Sequence, residues 1–140
     1  MDIEEIEAQA RGCQLELTSE RNLQIIGDPD LLRSGFENIL RNAIRYAPTD
    51  SCVELTAQKD GTCIVIQICD RGPGIPEQYL DRIFEPFFRV KNSVADASGS
   101  GLGLAIAQRA FEVHGGSIVA TPRDGGGLIF TVTLPAADLT

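Results

Sequence analysis

The stretch Asp70-Arg71-Gly72-Pro73-Gly74-Ile75-Pro76 follows a predicted β-hairpin and is the point from which the fold can be worked out. Two runs, Val53 to Gln58 and Cys63 to Cys69, alternate apolar and polar residues about Asp60-Gly61, a dipeptide typical of tight turns. A carboxylate at a strand end can only accept hydrogen bonds, and nearby glycines let a flat ligand approach the backbone. The stretch therefore favours a site for a ligand with an amino group, although an ordinary surface turn has the same composition.

A predicted helix precedes this hairpin. It begins at Asp28-Pro29, where Asp caps the free amides, and it ends at Ala47-Pro48. Spacings of four and three place Asn38, Asn42 and Arg45 on one helical face. An Asn oxygen suits a hard cation such as Mg²⁺, and an Arg donates to phosphate. The face is a candidate phosphate and metal site, and a solvated polar face is the alternative.

A glycine-rich stretch opens a second predicted helix, which runs to His114 and stops at Gly115-Gly116. The stretch is Gly99-Ser100-Gly101-Leu102-Gly103-Leu104. Free amides at a helix start, together with the helix dipole, bind anions. The segment before it, 89–98, is polar and does not have the pattern of a buried strand, which excludes a dinucleotide-binding fold. A P-loop is excluded as well, because no Gly-Lys-Ser/Thr follows the glycines.

The remaining elements complete a mixed pattern. Strand-like runs are predicted at Gln14–Leu17 and Leu23–Ile26, and a short helix at Glu77–Ile83. A closing hairpin is predicted from Ser117–Ala120 and Leu128–Leu134. Hairpin strands combined with two long helices predict an α+β fold. It would be a two-layer α/β sandwich, with helices on one face of a mixed, mostly antiparallel sheet.

Composition narrows the function. The chain has 140 residues, with 20 acidic and 12 basic side chains and a net charge of −8, which argues against a nucleic-acid partner. A phosphate ligand would have to be held by glycine amides, helix N-termini or Mg²⁺. Four cysteines without a C-x-x-C pair, and a single distant histidine, make zinc a poor fit. Three of these thiols, Cys52, Cys63 and Cys69, are predicted to be buried and structural.

In this order and spacing, the stretches resemble the conserved boxes of the histidine-kinase ATP-binding domain, a member of the GHKL superfamily. Asn38–Tyr46 resembles the N box, Asp70–Ile75 the G1 box, Ile83–Arg89 the F box and Gly99–Ile106 the G2 box. The resemblance covers nearly the whole chain, from about Cys13 to Pro135. Within the family, the chain looks most similar to the envelope-stress (Cpx-type) sensor kinases.

The resemblance implies the Bergerat ATP-binding fold, with ATP and Mg²⁺ as cofactors. Asp70 would accept the adenine amino group beside Gly72 and Gly74, with Tyr46 and Ile75 flanking the ring. Asn42 would bind Mg²⁺. The phosphates would be contacted by Asn38, Arg45, Arg89, Lys91 and the glycine-rich residues Gly99, Ser100, Gly101, Leu102, Gly103 and Leu104. Catalytic roles would fall to Asn38, Arg45 and Arg89, and residues 89–98 would form the ATP lid.

The same resemblance implies a reaction and its partners. The γ-phosphate of ATP would pass to a histidine on a separate dimerisation domain, and a response regulator would be the next partner. Residues 1–12 would be the end of a linker or helix from that dimerisation domain, and 13–140 a catalytic domain that is monomeric when isolated. It would lie on the cytoplasmic side of an inner-membrane sensor. His114, beside Gly115-Gly116, would be structural rather than the phosphate acceptor.

Two other functions are compatible with parts of the pattern. One is an anti-sigma-factor serine kinase, and the other is a nucleotide-binding module without catalysis. Phe84-x-Pro86-Phe87 and the long glycine run favour the histidine kinase, and gyrase-type ATPases carry a glutamate base where Asn38 stands. The two phenylalanines are predicted either to pack on the core or to form an exposed docking patch.

Overall fold

Five strands form one sheet in the order β1-β2-β3-β5-β4. The computed structural model describes residues 14–20, 23–46, 48, 51–88 and 102–137. The strands are β1 (Gln14–Ser19), β2 (Cys52–Asp60), β3 (Cys63–Cys69), β4 (Ser117–Pro122) and β5 (Leu128–Pro135). β1 pairs with β2 in parallel, and the other three pairings are antiparallel. The prediction of a mixed, mostly antiparallel sheet is confirmed.

Two helices cover one face of this sheet. They are α1 (Pro29–Tyr46) and α2 (Gly103–Glu112). As predicted, Asp28 caps α1, since its Oδ1 accepts hydrogen bonds from the amides of Asp30 at 2.9 Å and Leu31 at 3.2 Å. The helices contact each other through the rings of Phe36 and Phe111, whose centroids are 4.9 Å apart.

The core lies between the helices and the sheet. Alternate residues of β3 and β5 point into the core, and the residues between these are partly exposed. The fully or nearly buried apolar side chains include Ile39, Ala43 and Ile44 of α1, Phe111 of α2, and Ile64, Ile68, Phe130, Val132 and Leu134 of the strands. A two-layer α+β sandwich is therefore confirmed. No described helix is both long and apolar enough to span a membrane.

Two predicted elements differ from the structure. Residues Leu23–Ile26, predicted as a strand, are not part of a strand, although Leu23 and Ile25 pack on the core. The Gln24 carbonyl accepts the amide of Ala137 at 2.8 Å. The predicted helix Glu77–Ile83 is a 3-10 helix at Glu77–Tyr79 followed by turns, since the amides of Leu80 and Arg82 bond to carbonyls three residues back.

Smaller corrections concern the end of α2 and the cysteines. α2 ends at Glu112 rather than His114, and Gly115 supplies the positive φ of 76° that closes its C-terminus. Cys52, Cys63 and Cys69 are free thiols, but they are only partly buried, so the prediction of burial is wrong. All three lie on the face of the sheet opposite the helices, because the buried side chains alternate with them.

Candidate functional site: a buried carboxylate and the start of a helix

Asp70 directly follows the last residue of β3. Among the described residues it is the one charged side chain that is buried, with 2% of its surface exposed. Its Oδ1 accepts hydrogen bonds from the amides of Gly72 at 2.8 Å and Leu128 at 3.3 Å. Its own amide donates to the carbonyl of Leu128 at 3.0 Å. No other described residue donates to Oδ2, so this buried oxygen is left to accept a hydrogen bond from a ligand.

Opposing effects set the pKa of Asp70. Burial raises the pKa above its ordinary value because it disfavours the charged form. The amides of Gly72 and Leu128 and the charge of Arg123 act in the opposite direction, but burial outweighs them. A buried carboxylate is stabilised when a ligand donates a hydrogen bond in place of the water that burial removed, and an exocyclic amino group is such a donor.

Glycines allow two turns to pack backbone against backbone around this carboxylate. We call residues Asp70 to Ile75 the Asp70 turn and residues Arg123 to Gly127 the β4–β5 turn. Gly127, at φ 105°, lies so close that a Cβ there would be 2.1 Å from the Asp70 carbonyl oxygen. Gly74, at φ 76°, would place a Cβ 3.3 Å from the carbonyl oxygen of Gly127. Gly127 lies in the loop of the predicted closing hairpin, and the sequence did not predict its contact with Asp70.

Two further residues of the site were missed altogether. Arg123 donates through Nη1 to the carbonyl of Asp70 at 3.1 Å and through Nη2 to Glu54 Oε1 at 2.9 Å. Arg71 approaches the same Glu54 oxygen at 3.6 Å. The hydrogen bond from Arg123 lowers the pKa of Glu54, so this carboxylate stays charged. Nothing in the local sequence could have indicated a contact between residues 69 positions apart.

Asn38 and Gly103, two of the predicted phosphate-binding residues, meet where α1 passes the start of α2. Asn38 Oδ1 lies 3.0 Å from the place where a Cβ on Gly103 would stand, so only a glycine allows this approach. Asn38 Nδ2 donates to the Ser34 carbonyl at 2.8 Å, which turns Oδ1 toward α2. No described side chain caps α2, and the amides of a helix's first turn have no intrahelical acceptor, so the start of α2 is suited to binding an anion.

The other predicted residues on α1 follow Asn38 along the helix. Asn42 and Arg45 are partly exposed, while Ile39, Ala43 and Ile44 between them are buried. The described residues contain no group of three or more His, Cys, Asp or Glu side chains that could hold a metal ion. A metal here would therefore depend on an Asn oxygen and on oxygens of the ligand itself, which is the kind of shell that Mg²⁺ accepts.

Phe84 and Phe87, for which the sequence allowed either a core position or an exposed one, differ in burial. Phe84 is buried and packs edge-on against Phe130, with ring centroids 6.3 Å apart. Phe87 is 69% exposed and has a φ of 66°, a value that non-glycine residues rarely adopt. Ile75 is partly buried against the core. Of the pair, Phe84 is thus a core residue and Phe87 is the exposed one.

His114 is structural, as predicted. Its Nε2 accepts the amide of Asp28 at 2.9 Å, and its Nδ1 lies 2.7 Å from the carbonyl of Ala110. The ring thereby links the end of α2 to the start of α1. Gly27 is required beside it, because a Cβ there would come within 2.2 Å of the ring.

Several predicted residues lie outside the described part of the chain. These are Arg89, Lys91, Gly99, Ser100 and Gly101, together with the lid segment 89–98, the segment 1–12 and the side chain of Tyr46. The described residues of the glycine-rich stretch are Leu102, Gly103 and Leu104, of which the last two begin α2.

Comparison with known proteins shows the family. A family model described as "Histidine kinase-, DNA gyrase B-, and HSP90-like ATPase" matches residues 27–138, and the chain belongs to this family. SenX3 of Mycobacterium tuberculosis, a sensor-like histidine kinase, is 36% identical over 132 residues, which cover 94% of this chain and 32% of that protein. The chain thus spans about a third of the length of this curated relative.

Solved structures place the chain within that family. The mycobacterial sensor histidine kinase MprB superposes with a TM-score of 0.84 at 31% identity, covering 96% of this chain and 90% of that one. Full-length ShkA, solved in complex with AMPPNP, superposes with a TM-score of 0.82 at 28% identity over 100% of this chain and 31% of ShkA. The chain is a catalytic ATPase domain of the type found in sensor histidine kinases.

Proposed function

We propose that this domain binds Mg·ATP between the Asp70 turn and the start of α2 and transfers the γ-phosphate to a histidine on a separate dimerisation domain. The observation that carries the proposal is the buried Asp70 Oδ2, which accepts no hydrogen bond from the described residues, while Oδ1 accepts two. An adenine amino group supplies the matching donor. The complex of ShkA with AMPPNP supports a nucleotide at this fold.

The described residues suit the two ends of a nucleotide. In this proposal Asp70 accepts the amino group of the base, Gly72 and Gly74 let the ring approach the backbone, and Ile75 and Tyr46 flank it. The amides at the start of α2 and the side chains of Asn38 and Arg45 bind the phosphates, with Arg89 and Lys91 as further donors. Asn42 holds Mg²⁺, which neutralises charge on the phosphates when bound.

The arrangement on α1 favours phosphotransfer over hydrolysis. Asn38, whose side chain lies against the start of α2, is an amide and cannot act as a base that deprotonates water. Glu37 is the adjacent carboxylate, but it is paired with Arg33 at 2.9 Å and Arg41 at 3.7 Å. A base engaged in this way is poorly placed to activate water, so bound ATP would persist until an acceptor histidine arrives.

The first test compares two reactions of bound ATP, its hydrolysis by water and the transfer of its γ-phosphate to a histidine. The chain should bind Mg·ATP with micromolar to submillimolar affinity in a calorimetric titration and hydrolyse it very slowly. It should phosphorylate an added histidine-bearing dimerisation domain of the same kinase, giving an acid-labile product. Rapid multiple-turnover hydrolysis by the chain alone, without transfer to the histidine, would contradict the proposal.

Asn42→Ala should weaken binding of Mg·ATP by roughly tenfold or more, since even residues that only orient metal ligands contribute at least that much. Binding of ATP in the presence of EDTA should change much less, because the lost group is the protein's ligand to the metal. Calorimetry under both conditions measures the difference. An equal loss with and without magnesium would instead assign Asn42 a structural role.

Phe87→Ala should leave ATP affinity unchanged and slow phosphorylation of an added dimerisation domain by about tenfold, as expected for an exposed aromatic anchor at an interface. Val119→Ala removes a comparably exposed apolar side chain from β4 and is the matched control. Transfer rates are measured with ATP saturating. Unchanged transfer in a folded Phe87 variant would show that this side chain does not contact the acceptor domain.

The wider setting follows the relatives' names and is part of the proposal. Residues 1–12 would be the end of a linker or helix from the dimerisation domain, and 13–140 the catalytic domain. The whole kinase would be a membrane sensor with this domain in the cytoplasm, and a response regulator would receive the phosphate. SenX3 and MprB, as sensor histidine kinases, support this arrangement over an anti-sigma-factor serine kinase.

A further inference from the structure

Arg123 joins three strands at the back of the Asp70 turn. It follows the last residue of β4, and its guanidinium contacts the end of β3 and the side chain of Glu54 on β2. Only 14% of the side chain is exposed. The two contacts use different nitrogens, Nη1 for the Asp70 carbonyl and Nη2 for Glu54, so the plane of the guanidinium is fixed.

The backbone of Arg123 is fixed as well. Its amide donates to the carbonyl of Gly127 at 3.1 Å, and its carbonyl accepts the amide of Gly126 at 3.0 Å. These bonds close the β4–β5 turn, whose Gly127 packs directly against the Asp70 carbonyl. The donor that reaches Asp70 therefore projects from a rigid turn rather than from a free loop.

The Asp70 carbonyl controls the direction of the carboxylate. It belongs to the peptide unit that joins Asp70 to Arg71, and Gly72, whose amide holds Asp70 Oδ1, follows directly. A rotation of that peptide unit would move the Gly72 amide and release Oδ1. The bond from Arg123 prevents this rotation, and Glu54 balances the partly buried positive charge that makes the bond.

We propose that Arg123, held by Glu54, is a positioning residue that fixes the orientation of Asp70 and so determines how strongly the site prefers adenine to guanine. The inference rests on the proposed function, in which Asp70 accepts the adenine amino group. Arg123 itself does not touch the nucleotide in this account. It acts through the hydrogen-bonded path from its Nη1 to the Asp70 carbonyl and from the Gly72 amide to Oδ1.

The test compares three ligands on variants of the whole chain. Dissociation constants for Mg·ATP, Mg·GTP and magnesium triphosphate are measured by calorimetry with Arg123→Met and with Glu54→Gln. Arg123→Met should weaken ATP by about tenfold and leave triphosphate unchanged, since a net hydrogen bond to a charged group contributes about this factor. The preference for ATP over GTP should fall by the same factor. Glu54→Gln should shift the preference in the same direction by a smaller factor.

Two controls separate positioning from stability. Arg33 forms an ion pair of the same 2.9 Å length with Glu37, but its side chain is 68% exposed and makes no bond to Asp70. Arg33→Met should therefore leave the preference for ATP over GTP unchanged. Arg123→Lys keeps the charge but cannot make both bonds in one plane, and it should recover less than half of the lost preference.

The outcomes distinguish this inference from the function on which it rests. An unchanged preference in both Arg123→Met and Glu54→Gln, or an equal loss of all three ligands, would overturn the positioning role. If Arg123→Met fails to fold, Glu54→Gln alone decides between these results. A wild-type chain that binds ATP no better than triphosphate would instead overturn the assignment of Asp70 as the adenine acceptor.

Discussion

Replacing Asp70 with asparagine should lower the affinity for ATP by roughly 5- to 150-fold, equivalent to about 1–3 kcal/mol for a buried mispaired donor. The orientation of the new amide is set by the protein, because the amides of Gly72 and Leu128 require an acceptor at the Oδ1 position. The NH₂ group then takes the place of Oδ2 and faces the adenine amino group, donor against donor.

The same variant should bind triphosphate as well as the parent does, and its preference should shift toward GTP, whose guanine oxygen accepts from the new amide. Calorimetry with the three ligands measures the change. Asp60→Asn, at the exposed last residue of β2, is the matched control and should have no effect. An Asp70→Asn variant that binds ATP as tightly as the parent would remove Asp70 from the adenine site.

Gly127→Ala should destabilise the fold and weaken ATP binding together. Its Cβ would stand 2.1 Å from the Asp70 carbonyl oxygen, which is backbone and cannot move aside without displacing the Asp70 turn. The φ of 105° adds strain of about 1–3 kcal/mol for a side chain in this region. We expect the free energy of unfolding to fall by more than this strain alone, measured by urea denaturation.

Gly125 provides the control for this prediction. It also has a positive φ, 87°, but a Cβ there would meet nothing within 4 Å. Gly125→Ala should therefore show the cost of the backbone conformation without the collision, and ATP affinity should be retained. Equal losses of stability and of ATP affinity in the two variants would mean that the contact between Gly127 and Asp70 has no special role.

Local patterns predicted the parts of the fold that depend on neighbouring residues. The hairpin about Asp60-Gly61, the cap at Asp28 and the glycine stop after α2 follow from turn, cap and helix-end chemistry within a few positions. The segment Leu23–Ile26 has the same alternation as a strand, yet it packs singly on the core. Alternation reports which side chains are buried, and it does not report whether a neighbouring strand is present.

The candidate site was predictable only in part, for a related reason. Asp70 stood out because it follows a predicted strand and comes before two glycines, although ordinary turns share this composition. Arg123 and Glu54 did not, because their contact exists only after β2, β3 and β5 have paired and brought the β4–β5 turn over the end of β3. Long-range hydrogen bonds of this kind depend on sheet register, which single residues do not encode.

The most direct test of the account is a nitrogen–proton correlation spectrum of the labelled chain during titration with Mg·ATP. The central claim places the base at the Asp70 turn and the phosphates at the start of α2. The amide resonances of Gly72, Gly74 and Gly103 should therefore shift together and saturate with one dissociation constant. Saturable shifts confined to the opposite face of the sheet, around Thr56 and Val119, would contradict the account.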